Sequence, residues 1–134
     1  MLAVGATGLD DGVWAQSNYG AWVDVAAPGV TIYSTALDGA QHTYASMSGT
    51  SSAAAFVSGL AALVLSQNAA LSATEVQALI LENVDDLGAP GRDDYYGYGR
   101  LNAYHTLAAA APAASEAQGK PEGQGRIYLP AIVR

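Results

Sequence analysis

The sequence contains no cysteine, which rules out a disulfide framework and a thiolate-held zinc site. Basic residues are scarce. Five Lys and Arg stand against twelve Asp and Glu, for a formal charge of -7. That balance cannot furnish the basic patch that phosphate backbones require, so nucleic acid is not an expected partner. The two histidines, His42 and His105, are in no metal-ligand spacing. Long apolar runs are also lacking. The longest, Ala53 to Leu65, includes Ser58 and Gly59 and falls short of the ~18–20 residues a bilayer span needs, so no membrane is expected. Met1 opens directly into Leu2-Ala-Val-Gly, with neither a charged start nor an apolar core, so no signal peptide is expected on the chain as given.

What is present is a globular composition. About half of the 134 residues are apolar and 15 are glycine, enough for one domain and too few for two ordinary ones. Leu2 to Ala6 reads as a short buried strand, followed by a polar turn at Gly8 to Gly12. Trp22 to Ala26 reads as a second strand, stopped by Pro28-Gly29. Val30 to Tyr33 and Tyr44 to Ser48 are further extended segments, with a turn around Asp38-Gly39 before the latter. From Ser51 the period changes, and Ala53 to Leu65 is apolar on nearly every face, as a central buried helix requires. Ser72-Ala-Thr-Glu75 fits a capping box. It opens an amphipathic surface helix carrying Val76, Leu79, Ile80, Val84 and Leu87. Gly97-Tyr-Gly-Arg100 turns into a third helix, Asn102 to Ala111, which Pro112 ends.

Residues 1–111 therefore form the domain. Residues 112–126 are small and polar, with no large apolar residue before Ile127, and read as a flexible linker. Residues 127–134 form a short apolar tail that fits the start of another module, a docking strand or an unpacked end.

The segment with chemical content is Ser48-Gly-Thr-Ser-Ser-Ala-Ala54. It sets Ser51 between a glycine turn and the first turn of a helix. A helix N-terminus presents unpaired N–H groups and partial positive charge, which favour a developing oxyanion, and Gly49 lets a substrate backbone approach. The plainer role for Ser51 is a helix cap, and local sequence alone favours it.

The wider pattern tips the balance. Leu2-Ala-Val-Gly-Ala6, Gln16-Ser-Asn-Tyr-Gly20, Val23-Asp-Val-Ala-Ala-Pro-Gly29, Gly49-Thr-Ser51, Val57-Ser-Gly-Leu-Ala-Ala-Leu63 and Tyr96-Gly-Tyr-Gly-Arg-Leu-Asn-Ala103 follow one another in order. This ordered set resembles the C-terminal part of the subtilisin-like (S8) serine protease family, over about four-fifths of the chain. The resemblance implies a partial α/β fold with short core strands, a buried central helix and two outer helices. It implies that the N-terminal half of the domain lies elsewhere. It also implies that Ser51 is the nucleophile that forms an acyl-enzyme with a peptide or protein substrate, using no cofactor. The complete protein would act outside the cell.

In this family the catalytic Asp, His and oxyanion Asn all precede the serine. No His-Gly-Thr segment is present here, nor an Asp followed by Ser/Thr-Gly. His42 lies too close to Ser51 in the chain to be its base and is expected to decorate the loop between Asp38 and Tyr44. His105 is expected on the surface of the last helix. Asp85, Asp86, Asp93 and Asp94 read as loop and helix-end charges whose spacing fits no calcium-loop signature. A structural calcium in the complete domain therefore finds no support in this chain. Within the nucleophile motif, Ala55 stands where the family has proline and Phe56 where it commonly has histidine. By the same resemblance Met1 stands where the family has an aliphatic core-strand residue, as expected of a gene fragment, a truncated gene or a remnant rather than a natural boundary. Two functional readings follow: an endopeptidase fragment, inactive alone, or a non-catalytic remnant that binds or assembles, pairing with a separate N-terminal half. An α/β-hydrolase ranks behind both, because Gly49-Thr-Ser-Ser-Ala53 lacks the closing glycine of a nucleophile elbow. The composition after Pro112 also predicts where the chain is cut first. Limited proteolysis is expected to cleave between Pro112 and Gly125 before any core segment, and a core cut preceding it would contradict the linker assignment.

Overall fold

The computed structural model describes residues 1–111, so the expected linker and apolar tail lie outside the described residues. The order of elements is β1 (Val4–Thr7), β2 (Val25–Pro28), β3 (Ile32–Asp38), β4 (Gln41–Met47), α1 (Thr50–Gln67), α2 (Ala73–Glu82) and α3 (Ala103–Ala110). β1 and β2 pair in parallel, with Val4 opposite Val25 and Thr7 opposite Pro28. The pair is locked at its start by Asp24, whose carboxylate accepts the Ala3 N–H at 2.7 Å while its own N–H donates to the Ala3 carbonyl at 2.8 Å. The second strand starts and ends later than expected and takes in Pro28. A proline is tolerated at a strand end, where no ladder donor is needed.

The other flank of β2 is covered by the chain running into α3. Ala26 donates to the Gly99 carbonyl at 2.9 Å, and Leu101 donates to that of Ala26 at 2.8 Å. Such close backbone approach requires glycine. A Cβ on Gly97 would lie 2.7 Å from the Val25 nitrogen and collide with the Asp24 backbone, and its φ of +66° already disfavours other residues.

α1 lies across this layer. Ala53, Val57, Leu60 and Val64 form a buried stripe at helical spacing, packed with Ala6, Val25 and Ala27 of the strands, Val76 and Ile80 of α2 and Ala110 of α3. The helix is central, as its composition predicts. Both flanks of that stripe are open, however, with Phe56 and Leu63 on one side 44% and 52% exposed and Leu65 on the other 40% exposed. The helix also runs 18 residues and passes, by length and composition, as a possible bilayer span. The shorter stretch from Ala53 to Leu65 underestimated it. The stripe packed against β1 and β2 is that of a core helix on one side. α2 carries the expected capping box, with the Ser72 side chain and Glu75 N–H paired and the Glu75 carboxylate returning to the Ser72 N–H at 2.7 Å. It stops at Glu82, where the Asn83 side chain donates to the Leu79 carbonyl at 2.8 Å, so Val84 and Leu87 lie beyond it.

β3 and β4 form an antiparallel hairpin from Ile32 opposite Met47 to Asp38 opposite Gln41, longer than the segments expected there. Most of its residues are exposed on both faces, so no alternation betrays its length in the sequence. His42 accordingly sits in β4 opposite Leu37, not in a loop. Gly39 turns the hairpin at φ +59° with open space around it.

The two glycines separate two costs. Gly39→Ala is expected to lower stability by ~1 kcal/mol, the penalty for a left-handed residue. Gly97→Ala adds a backbone collision and is expected to cost at least 3 kcal/mol. Urea unfolding of both variants checks this, and equal losses would refute the packing role of Gly97.

Candidate active site

Ser51 is the second residue of α1 and is exposed. The first two amides with a backbone acceptor at this end are Ser52 and Ala53, both donating to the Gly49 carbonyl at 3.1 and 3.3 Å. The amides of Thr50 and Ser51 therefore head the helix, at the positive end of its dipole.

Three ties bring this turn to its place. Gly29 donates to the Thr7 carbonyl at 2.9 Å and accepts the Gly49 N–H at 2.8 Å, so the end of the β1–β2 pair holds the residue that precedes the helix. No side chain fits there: a Cβ on Gly29 would lie 2.7 Å from the Ala6 Cβ and 2.8 Å from the Gly49 carbonyl oxygen. Second, the Ser48 hydroxyl accepts the Thr31 N–H at 2.9 Å. Thr31 has a φ of +56°, uncommon for a β-branched residue, and this bond helps hold it. Third, Asn18 Nδ2 donates to Thr50 Oγ1 at 3.1 Å.

Two open clefts meet at Ser51. The larger, of about 870 Å³, runs between the hairpin and the open face of α1, lined by Ile32, Tyr33, Met47, Phe56, Leu63 and Leu101 among others. The smaller, of about 380 Å³, lies toward β1 and is lined by Leu2, Val4, Asn18, Trp22 and Ala54 among others. Among the described residues, neither lining includes a carboxylate or an imidazole. Ala55 and Phe56, the two departures from the motif, both line the larger cleft. The arrangement offers a hydroxyl, free helix amides and space for an extended ligand.

The remaining candidates are placed elsewhere. His105 is exposed on α3. Asp85 pairs with Arg100, which also pairs with Asp11, and accepts from Asn102 Nδ2 at 2.8 Å. The Asn102 hydrogen bond foremost, with those of Arg100, holds its carboxyl below the usual aspartate range against the opposing effect of burial. Asp93 accepts the N–H groups of Tyr95 and Tyr96 at 2.8 Å and of Ala89 at 3.2 Å. Burial pushes the Asp93 carboxyl upward, but these three bonds outweigh it and the net direction is down. Asp86 accepts the Gly91 N–H at 2.9 Å. Among the described residues no three His, Asp or Glu side chains gather as a metal site would need.

The sequence model of the Subtilase family matches residues 1–99. The chain belongs to the subtilase family. It is 44% identical over 106 residues to Thermitase of Thermoactinomyces vulgaris, covering 79% of this chain and 36% of that protein. It is 43% identical over 107 residues to the Thermophilic serine proteinase of Bacillus sp. (strain AK1), covering 80% of this chain and 25% of that protein. Among solved structures, one of the proteases from Pseudoalteromonas arctica superposes with a TM-score of 0.75 at 28% identity, over 83% of this chain and 36% of that one. The chain thus spans between a quarter and about a third of the length of these relatives. The fold is a partial subtilisin-like α/β arrangement, as the motif order implies. Reading the sequence missed Asn18 and Gly29 as determinants of the serine's position. Both lie inside recognised motifs, but their partners are far along the chain.

The acidic network predicts the acid limit of stability. Asp85 and Asp93 are held below their unfolded value, near 4, so the stability they contribute is fully present above that value. It is lost as pH falls through their folded values. The thermal midpoint is therefore expected to drop below about pH 4, and Asp85→Asn should flatten that drop. An unchanged pH profile in the variant would show that Asp85 plays no part.

Proposed function

We propose that this chain is part of a serine endopeptidase domain in which Ser51 is the nucleophile. The observation that carries the reading is the seat of Ser51, exposed on the first turn of α1 where two clefts meet. In the proposed reaction the Ser51 hydroxyl attacks a peptide carbonyl. The Ser51 amide donates to the oxyanion, the amine leaves with a proton and water releases the acyl group. The base, its orienting carboxylate and a second oxyanion donor are proposed to come from a complementing N-terminal half of the domain, since neither cleft lining contributes an acid or imidazole. The substrate is a peptide or protein, the reaction uses no cofactor, and the family resemblance favours action outside the cell.

A second reading is a binding or assembly module without turnover. What favours it is Phe56, 44% exposed in the larger cleft where the family pattern commonly has histidine.

A fluorophosphonate probe separates the two. General-base help is worth about 10²–10⁴-fold and an oxyanion donor about 10²–10³-fold, although such contributions do not add. The chain alone is expected to remain unlabelled and to show no peptidase turnover. Mixed or fused with the N-terminal portion of Thermitase, it is expected to be labelled at Ser51, with labelling abolished by Ser51→Ala. Stoichiometric labelling of the chain alone would reveal a base within it. A folded complex that never labels would leave the binding role.

A further inference from the structure

We propose that Asn18 is a positioning residue for the reactive turn, holding the peptide that carries Ser51 through its hydrogen bond to the Thr50 hydroxyl. The consequence for chemistry rests on the reading of Ser51 as nucleophile. The geometry does not.

The ties that locate the turn are unevenly distributed along it. Gly29 holds Gly49, and Ser48 binds Thr31, so the chain is anchored up to the residue before the helix. On the far side α1 is anchored from Ala53 onward by its buried stripe. Between these anchors lie Thr50, Ser51 and Ser52, of which Ser51 is exposed and the other two half-buried. Gly49 has no Cβ to restrict it and is held by its backbone alone, donating to Gly29 and accepting from Ser52 and Ala53. Of the hydrogen bonds among the described residues, one joins a side chain of this stretch to another part of the molecule, and it runs from Asn18 Nδ2 to Thr50 Oγ1 at 3.1 Å.

Asn18 is itself held from behind. The Ser17 hydroxyl accepts the Ala6 N–H of β1 at 2.9 Å and donates to the Asn18 carbonyl at 2.9 Å. Two residues on, Gly20 donates to the Asp94 carbonyl at 2.7 Å. A relay therefore runs from β1 through Ser17 and Asn18 to Thr50. Gly49 and its neighbour Thr50 are thus tied to β1 by two separate routes, through Gly29 and through Asn18. Asn18, Thr50 and Ser51 all line the smaller cleft. Small displacements of a reacting group carry large rate penalties, but this bond is neutral and exposed at Asn18. The expected effect of its loss is about 3–10-fold in the rate at Ser51, the range of an ordinary hydrogen bond.

The test has two arms. In the full chain by NMR, one Asn18 side-chain N–H₂ proton is expected to resonate away from its free position. Thr50→Val should return it there, and Thr50→Ser, which keeps the hydroxyl, should not. Residual dipolar couplings of the Thr50 and Ser51 amides should change in Asn18→Ala, while those of α2 and α3 stay as they were. In the complex with the Thermitase N-terminal portion, Asn18→Ala is expected to slow labelling of Ser51 by about 3–10-fold with unchanged KM for a peptide substrate. The loss should vanish in a Thr50→Val background and persist in Thr50→Ser. Free-position Asn18 signals, or amide couplings indifferent to Asn18→Ala, would overturn the proposal. So would a rate loss that is the same in both Thr50 backgrounds. If the complex never labels at Ser51, the nucleophile reading fails while the NMR arm still decides whether Asn18 positions the turn.

Discussion

The contact between Gly29 and Gly49 is the constraint on which the rest of the arrangement depends. Gly29 closes the β1–β2 pair by donating to Thr7 and opens α1 by accepting from Gly49. One residue thus joins the parallel strands to the helix. The joint is tight because a single added carbon would meet Ala6, Ala53 and the Gly49 carbonyl within 3.2 Å. Those neighbours matter as much as the bond. Ala6 and Ala53 are themselves almost wholly buried, so the space Gly29 leaves empty is what lets strand and helix close on each other. Small residues on both sides of an interface bring backbones together, and close backbones make the interstrand and helix-end hydrogen bonds possible. The succession Val23-Asp-Val-Ala-Ala-Pro-Gly29 carries this whole geometry: two valines for the core, an aspartate for the Ala3 amide, alanines for the close approach, and glycine at the joint.

The elements best predicted from sequence are those whose physics is local. The capping box at Ser72 and Glu75 needs four consecutive residues and forms as written. The apolar run after Ser51 predicts a helix, and the third helix expected from Asn102 forms from Ala103, where the structure adds an Asn102 cap accepting the His105 N–H at 3.0 Å. The hairpin was only half legible. β3 and β4 bury almost nothing, so their polar and aromatic residues show no alternation. The Tyr33–Tyr44 stack, with ring centroids 5.6 Å apart, joins two side chains that only the pairing brings together. The seat of Ser51 was legible as a motif, but what holds it was not. Asn18 meets Thr50 across 32 positions of sequence, a pairing that no local pattern encodes. Likewise Asp85, Asp11, Arg100 and Asn102 look like scattered charges in the sequence and form one connected group in the fold.

That group also accounts for why an acidic chain tolerates carboxylates so near one another. Arg100 stands between Asp11 and Asp85 and supplies locally the positive charge that a bound cation would otherwise have to bring. Its backbone meanwhile pairs with Asp85 in both directions, at 2.9 and 2.8 Å. Arg92 does related work on the other side of the same segment. It donates to the Ala21 and Val23 carbonyls and lies 5.8 Å from the Tyr98 ring centroid, which joins the loop before β2 to the loop before α3. The side chains of both arginines among the described residues thus tie loops to one another, and neither lines the two clefts that meet at Ser51.

The two faces of α1 then pose the central asymmetry of the structure. A helix apolar on all sides is stable in water only when covered on all sides. Within the described residues, β1, β2, α2 and α3 cover the stripe from Ala53 to Val64, whereas Phe56 and Leu63 look into the larger cleft. Scattered apolar residues on a surface carry no message, but a contiguous apolar cleft does. This one begins at Ser51 and follows the helix away from it. Among the described residues, the open apolar flank with Phe56 and Leu63 and the exposed Ser51 hydroxyl therefore share one cleft. A complement that buried Phe56 and Leu63 would, by the same docking, bring its own side chains to Ser51. Folding and chemistry would then be completed in one step. This is the physical ground for the proposal that a complementing part of a subtilase domain supplies the base.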